Sequence, residues 1–288
     1  MVVGDVFHTP KLSGPGRQKN LDAWANRYPA RLRTREETQS WLEQQFFPAS
    51  KRWLYCGNGK SGTSSTKRFL FELEFGRPLS AHLLVPFDIN PDVVAHRLAE
   101  FDVFRSLADT EDSQDVFANA LRLTTVRNPY SRAVSAYLYL CKSDEMARHW
   151  FAWDRVRMNA MVGFDWDNDP RTATGFEKFL DYIASDIQNR GLQEVNPHWR
   201  PQHGNIRPGL FDAHLIGKTE DLGTFFKDVA ARLNQPLPAT FKAKAANQNA
   251  DSTPKDALLT PAVRQRITRI YGPDFAQFDY DPDAAKAA

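Results

Sequence analysis

A glycine-rich turn in this sequence places a lysine and several hydroxyls just before a helical stretch. Residues 51–56 (KRWLYC) are typical of a short buried strand, and residues 67–75, after the turn, have helical periodicity. Amide groups at a helix start lack partners, and the helix dipole favours an anion there. We therefore predict a phosphate site. Its expected contacts are Lys60, Ser61, Gly62, Thr63, Ser64 and Ser65.

A second polar stretch follows residues 121–126 (LRLTTV), which we also predict to form a strand. Pro129 suits the first turn of a helix, so Arg127 lies at the strand-to-helix junction and Ser135 about two turns along. An arginine fork with a serine hydroxyl predicts a second phosphate site.

Each stretch also has a purely structural interpretation. Ser64 or Ser65 could simply cap a helix while Lys60 is solvated, and Arg127 could form a structural salt bridge. The pair is more informative, because two anion sites at neighbouring strand ends suit a nucleotide with phosphates on both its 5′ and 3′ sides. A non-catalytic binder of such a nucleotide is one alternative.

A nucleotide-dependent kinase of the P-loop class is another alternative. That loop requires Gly-x-x-x-x-Gly-Lys-Ser/Thr, and its first glycine would fall at Leu54, inside the predicted strand. The strand at 121–126 is followed by Arg127 rather than by an aspartate that could hold Mg²⁺. The kinase is therefore disfavoured.

Strands that alternate with helices predict an α/β fold, a central parallel sheet flanked by helices. The remaining expected strands are residues 81–85 and 213–216, with helical material at 91–107 between the first of these and 121–126. We expect one domain over 1–288. Its expected parts are an N-terminal cap at 1–50 (irregular to residue 20, broken helix over 21–47), an insertion over the active site at 144–174 and a frayed tail at 281–288.

Composition narrows the classes of partner. The 37 Lys and Arg residues against 35 Asp and Glu give a net charge of +2, so bulk charge does not predict nucleic-acid binding. Met1 to Asn20 contains no apolar run of seven or more residues, so we expect no signal peptide, membrane anchor or membrane span, and a cytoplasmic location. Cys56 and Cys141 are then expected to be reduced and buried.

Together the two stretches resemble the sulfotransferase superfamily. The 5′-phosphosulfate loop of that superfamily has a Lys-x-Gly-Thr-type core, which is similar to residues 60–64 here. Its 3′-phosphate motif has an arginine with a serine eight positions on, as at Arg127 and Ser135. The resemblance implies a P-loop-like sulfotransferase fold. It also implies 3′-phosphoadenosine-5′-phosphosulfate, hereafter PAPS, as cofactor, adenosine 3′,5′-bisphosphate as product, and no required metal.

Further stretches resemble the carbohydrate branch of that superfamily, the chondroitin and HNK-1 type with bacterial relatives. They are residues 175–179, 198–202, 216–222 and 271–280, so the resemblance covers roughly residues 51–280. It implies a sugar or glycan acceptor. The eukaryotic members have a membrane anchor and paired cysteines near the His-Trp motif, which we do not find here, and this favours a bacterial-type enzyme. Asn247 stands where many relatives carry His-x-Asn, and its role in nucleotide binding stays open.

Sulfuryl transfer needs an in-line arrangement and charge stabilisation at the leaving oxygen, which we assign to Lys60. The acceptor hydroxyl also needs a base, and neutral histidine suits that role. His82, in the stretch SAHLLVPF, and His198 are the catalytic candidates, with Asp88 third. His82 is favoured over His198, because its position at the end of the strand predicted at 81–85 could face the sulfuryl group. A buried structural role is the alternative for either histidine.

The predicted insertion is rich in aromatic and arginine side chains, which suit a sugar or an anionic glycan. The alternative is an amphipathic helix with core aromatics and solvated arginines, and the spacing alone favours it. The residues concerned are Arg148, Trp150, Phe151, Trp153, Arg155, Arg157 and Trp166.

Overall fold

A five-stranded sheet forms the centre of the fold, in the spatial order β3-β1-β2-β4-β5. In chain order the strands are β1 Gln45–Pro48, β2 Trp53–Cys56, β3 Phe104–Ser106, β4 Leu121–Val126 and β5 Leu215–Lys218. Strands β2, β4 and β5 are parallel, whereas β1 is antiparallel to both β2 and β3. The computed structural model describes residues 11–86, 88–90, 93–146, 149–241 and 255–283. The α/β prediction is confirmed. Strands β2, β4 and β5 form the parallel part of the sheet, which is extended by the reversed strand β1 and then by β3, which runs in the same direction as β2.

Helices flank this sheet. They are α1 Gly14–Arg27, α2 Arg35–Leu42, α3 Thr63–Phe75, α4 Ser113–Asn119, α5 Pro129–Glu145, α6 Ala152–Val162, α7 Ala173–Arg190, α8 Gln202–Ile206, α9 Leu222–Arg232, α10 Lys255–Leu258 and α11 Pro261–Gln277. Helix α5 begins as predicted, with Pro129 in its first turn and the Asn128 side chain accepting from the Tyr130 amide. In the part of the chain that the structure describes, each helix is too short or too polar to cross a lipid bilayer.

The predicted strands match the structure unevenly. Strand β4 occupies the predicted residues, β2 is two residues shorter, and β5 begins two residues later than predicted. The strand predicted at 81–85 is wrong, because that segment is irregular and Leu84 is 76% exposed. A strand of a parallel sheet needs both faces covered. Within the described part of the segment predicted to be helical, residues 93–107, the structure has a 3₁₀ turn at Val94–His96 and then β3, and a second 3₁₀ turn, Leu107–Asp109, begins at its end.

The N-terminal region contains more regular structure than predicted. Helix α1 begins at Gly14, with Pro15 in its first turn, so the irregular leader expected up to residue 20 ends earlier. Strand β1 lies within the predicted cap but is part of the central sheet, which corrects the boundary at residue 50. Strands β1 and β3, which the sequence did not predict, pair with each other. They have only four and three residues, and such short strands show too little alternation to be recognised from sequence.

The predicted insertion is narrower than expected. Helix α5 extends to Glu145 and α7 begins at Ala173, so the connecting segment is 146–172 and contains α6. Helix α6 packs against α7 through its buried residues Asp154 and Met158. Cys56 and Cys141 are free and buried, as predicted. Division of the chain into one domain with cap and tail stays a prediction, and residues 284–288 lie outside the described residues.

Candidate active site

The two predicted phosphate loops lie side by side at one edge of the sheet. Strands β2 and β4 are parallel neighbours, with Cys56 paired to Thr124, so both strands end at the same edge. Residues 57–62 follow β2, and Arg127 follows β4 directly. Ligands bind at this carboxyl edge in open α/β sheets.

The first loop presents unpaired amides at the start of α3. Gly62, at the N-cap position, adopts a left-handed conformation with φ of +76° and has no side chain that could cap the helix. The amides of Thr63 and Ser64 donate no hydrogen bond to any residue that the structure describes. The helix start can therefore receive an anion.

Lys60 lies at the centre of the site without a carboxylate partner among the described residues. Its Nζ is 3.7 Å from the centroid of the Tyr139 ring, a cation–π contact. Burial, followed by repulsion from Arg127, Lys142 and Arg132, lowers the pKa of Lys60 to about 7. An anion placed here would reverse this electrostatic penalty.

The predicted hydroxyl contacts have different environments. The Ser61 hydroxyl is buried and donates to Gln202 Oε1 over 2.9 Å, and its amide donates to Asn58 O over 3.2 Å, so Ser61 shapes the loop. The Thr63 hydroxyl also donates within the loop, to Asn58 O over 2.8 Å. Ser64 and Ser65 are half-buried in the first turn of α3, and Ser64 Oγ lies 3.0 Å from His96 Nε2.

The second loop brings Arg127 against the first. Its Nε donates to Ser131 Oγ over 2.9 Å, and its Nη1 lies 3.4 Å from the Lys60 carbonyl. Ser131, which the sequence reasoning missed, is four residues after Arg127, and Ser135 follows four residues later on the same side of α5. Ser135 is 5% exposed and has no direct hydrogen bond to Arg127.

The Gln202 side chain connects the two loops through hydrogen bonds. Its Oε1 accepts from Asn58 Nδ2 (3.0 Å), Ser61 Oγ (2.9 Å) and the Arg127 amide (2.9 Å). Its Nε2 donates to the Arg127 carbonyl over 2.8 Å. Its own amide donates to Asp274 Oδ2 over 2.7 Å. One fully buried amide side chain thus fixes the spacing of both anion sites.

We expect Gln202→Met to destabilise the protein by about 2–4 kcal/mol, because a similar volume remains but buried donors lose their acceptor. Urea denaturation at 25 °C measures the effect. Gln265→Met, at an exposed position of α11, is the matched control and should change the free energy of unfolding by less than ~0.5 kcal/mol. Equal stability of Gln202→Met and the wild type would show that this amide does not hold the loops.

The segment that carries His198 passes directly over the first loop. A Cβ on Gly59 would lie 3.1 Å from Pro197 O and 3.3 Å from His198 Cα, so only glycine fits this approach without displacement. The fully buried Arg132 holds the two segments together, since it donates to Gly59 O (2.9 Å) and Pro197 O (3.2 Å).

The His198 ring lies among aromatic rings beside Lys60. Its centroid is 5.7 Å from Tyr139 and 5.0 Å from Phe151. Burial, followed by the positive charge of Lys60, lowers the pKa of His198 to about 3, so the imidazole is neutral in the neutral pH range. Trp199, the next residue in the chain, packs in the hydrophobic core.

The other predicted bases lie on the irregular segment before Val94–His96. His82 is exposed and does not occupy the strand end on which its prediction rested. Asp88 Oδ1 accepts from the Asn90 amide over 2.8 Å, and Asn90 Nδ2 donates to Tyr139 Oη over 2.9 Å. Asp88 is therefore linked to the ring that covers Lys60.

His96 is a further histidine of the site that the sequence reasoning missed. His96 is exposed and contacts Ser64, and desolvation by its neighbours, followed by the charge of Lys67, lowers the pKa of His96. His96 belongs to no short motif, since it lies thirty-two positions after Ser64 in the sequence.

The aromatic side chains named in the predicted insertion are half-buried, except for Trp153, which is exposed. Trp166 donates to Arg155 O over 3.1 Å, and the Trp153 ring is covered by the guanidinium groups of Arg157 and Arg190. Of these aromatic side chains, Phe151 contacts His198. The packing interpretation is favoured for Trp166, which packs against the core, but not for Trp153, which is 56% exposed. Arg148 and Asn247 lie outside the described residues.

Comparison with protein-family models matches the sulfotransferase family over residues 45–281. The chain therefore belongs to the sulfotransferase family. No curated protein and no solved structure matches it.

Proposed function

We propose that this sulfotransferase moves the sulfuryl group of PAPS to a hydroxyl of a carbohydrate or glycan acceptor. The observation that carries the proposal is Lys60, a half-buried cation without a carboxylate partner among the described residues, between two loops that Gln202 holds together. PAPS supplies the activated sulfuryl group when bound.

The residues of the site fit the two ends of this nucleotide. The unpaired amides at the start of α3, with Ser64 and Ser65, would hold the 5′-phosphosulfate. Lys60 would neutralise the charge that develops on the leaving oxygen. Arg127, with Ser131 and Ser135 along the same side of α5, would hold the 3′-phosphate.

His198 is the base that the geometry supports best. It is neutral, borders Lys60 and lies beside Tyr139 and Phe151, whose rings could pack against a sugar. A neutral imidazole can accept the proton of the acceptor hydroxyl. His82 and Asp88 are retained as the other candidates, with Asp88 favoured over His82 by its link to Tyr139.

Nucleotide binding tests the proposal. We expect adenosine 3′,5′-bisphosphate to raise the melting temperature in EDTA, and ATP with Mg²⁺ to do so much less, because bound ligand stabilises the folded state. Arg127→Ala should weaken bisphosphate binding by roughly 1.5–3 kcal/mol, measured by calorimetry. The matched control is Arg122→Ala, at the opposite end of β4, which should bind normally.

Two results would count against the proposal. One is stabilisation by ATP and Mg²⁺ alone. The other is unchanged bisphosphate affinity in a folded Arg127→Ala variant. Transfer of labelled sulfur from PAPS to a panel of oligosaccharides then tests the reaction and the acceptor class directly.

A further inference from the structure

The side chain of Asn196 determines which nitrogen of His198 carries the proton. Asn196 Oδ1 lies 2.9 Å from His198 Nδ1 and also accepts the His198 backbone amide over 3.1 Å. An amide oxygen can only accept, so His198 Nδ1 must be the donor. His198 Nε2 then presents a lone pair, as a base requires.

The orientation of the Asn196 amide depends in turn on Asp154. Asn196 Nδ2 donates to Asp154 Oδ2 over 3.2 Å, and Tyr182 Oη donates to Asp154 Oδ1 over 2.8 Å. A carboxylate accepts hydrogen bonds, so it holds the nitrogen of Asn196 toward itself and the oxygen toward His198. Four side chains from α6, α7 and the 196–198 segment thus form one directed chain.

We propose that Asp154 is a positioning residue for sulfuryl transfer, which fixes the Asn196 amide so that His198 keeps its proton on Nδ1 and offers Nε2 to the acceptor hydroxyl. This inference rests on the proposed function, with His198 as the base. It also gives a role to the segment between α5 and α7, which supplies Asp154 to the site.

The surroundings of Asp154 differ from those of its nearest buried acidic neighbour. Asp186 is fully buried and forms ion pairs with Arg157 and Arg190, an arrangement that explains its burial. Asp154 is 5% exposed and forms no ion pair with any described residue. A buried carboxylate without a countercharge is costly, so packing alone does not account for it.

Histidine ¹⁵N NMR of the full-length protein tests the proposal without a donor or an acceptor. The wild type should show His198 as a single Nδ1–H tautomer at pH 7, with the signal assigned by its loss in His198→Ala. Asp154→Leu should give a tautomer mixture, because only the His198 backbone amide then orients the Asn196 side chain. Asp154→Asn should restore the single tautomer, because its amide oxygen can still face Asn196.

Two matched controls separate orientation from packing. Tyr182→Phe removes only the hydrogen bond from Tyr182 to Asp154 Oδ1. Asp186→Asn removes the charge of a neighbouring buried carboxylate that does not belong to the hydrogen-bonded series from Tyr182 to His198. In both variants, His198 should keep its proton on Nδ1, as in the wild type. If Asp154→Leu does not fold, Asn196→Ala removes the acceptor at Nδ1 directly and should also give a mixture.

In turnover assays, Asp154→Leu should lower kcat at least ~10-fold with unchanged nucleotide affinity, since a wrong histidine tautomer impairs proton transfer. A wild-type proton on Nε2, or an unchanged single Nδ1–H tautomer in both Asp154→Leu and Asn196→Ala, would overturn the inference. The predicted spectra without any sulfuryl transfer would instead refute the proposed function and leave the tautomer control standing.

Discussion

Lys60→Met is expected to lower turnover by ~10²–10³-fold, the scale found when one preorganised group that stabilises the transition state is removed. Methionine keeps much of the side-chain volume but removes the charge beside the leaving oxygen. Nucleotide binding should also weaken, because Lys60 has no competing carboxylate among the described residues. Steady-state kinetics with PAPS and calorimetry with adenosine 3′,5′-bisphosphate separate the two effects.

The same lysine should make nucleotide affinity depend on pH. Burial and nearby arginines lower the pKa of Lys60 to about 7 in the free protein, so above pH 7 it loses its proton. A bound phosphate favours the charged form, so binding takes up a proton. Between pH 7 and 9, where the phosphate groups of the ligand are largely ionised, affinity should fall by up to ~10-fold per pH unit.

Lys60→Arg is the control for this dependence, because arginine stays charged throughout that range. Its affinity should be nearly independent of pH between 7 and 9. Equal slopes for Lys60→Arg and the wild type, or near-native turnover in Lys60→Met, would remove Lys60 from its assigned role.

His198→Ala is expected to lower turnover by ~10²–10⁴-fold while leaving PAPS affinity almost intact, because a general base contributes chiefly in the transition state. In the free protein the pKa of His198 is about 3, since burial and the Lys60 cation disfavour its charged form. A bound anion offsets the Lys60 charge and so raises the pKa of His198 toward its ordinary value. Labelled PAPS with the best acceptor from the panel provides the measurement.

Companion variants locate the base if His198 is not responsible. The segment from residue 82 to residue 96 is tested by His82→Ala, Asp88→Asn and His96→Ala. The control is His214→Ala, since His214 lies near Arg122 at the far end of β4. Near-native turnover in His198→Ala with a large loss in one of the first three would move the base to that residue. Loss of nucleotide binding in folded His198→Ala would show a binding role instead.

The sequence alone determined the parts of the site that are contiguous in the chain. Lys60 and the start of α3 form one strand-loop-helix unit, and Arg127 with the start of α5 forms another. Backbone geometry over a few residues controls such units, so local composition predicts them. The parallel β2–β4 pair, and hence two neighbouring anion sites, could be inferred from that alternation.

Tertiary structure alone decided how those parts are held and which side chains join them. Gln202 meets Asn58 across 144 positions, and Asp154 meets Asn196 across 42. His82, favoured from its expected strand end, lies exposed on an irregular segment, whereas His96 reaches Ser64. Buried polar groups must find partners wherever the folded chain places them, and sequence spacing contains little information about those partners.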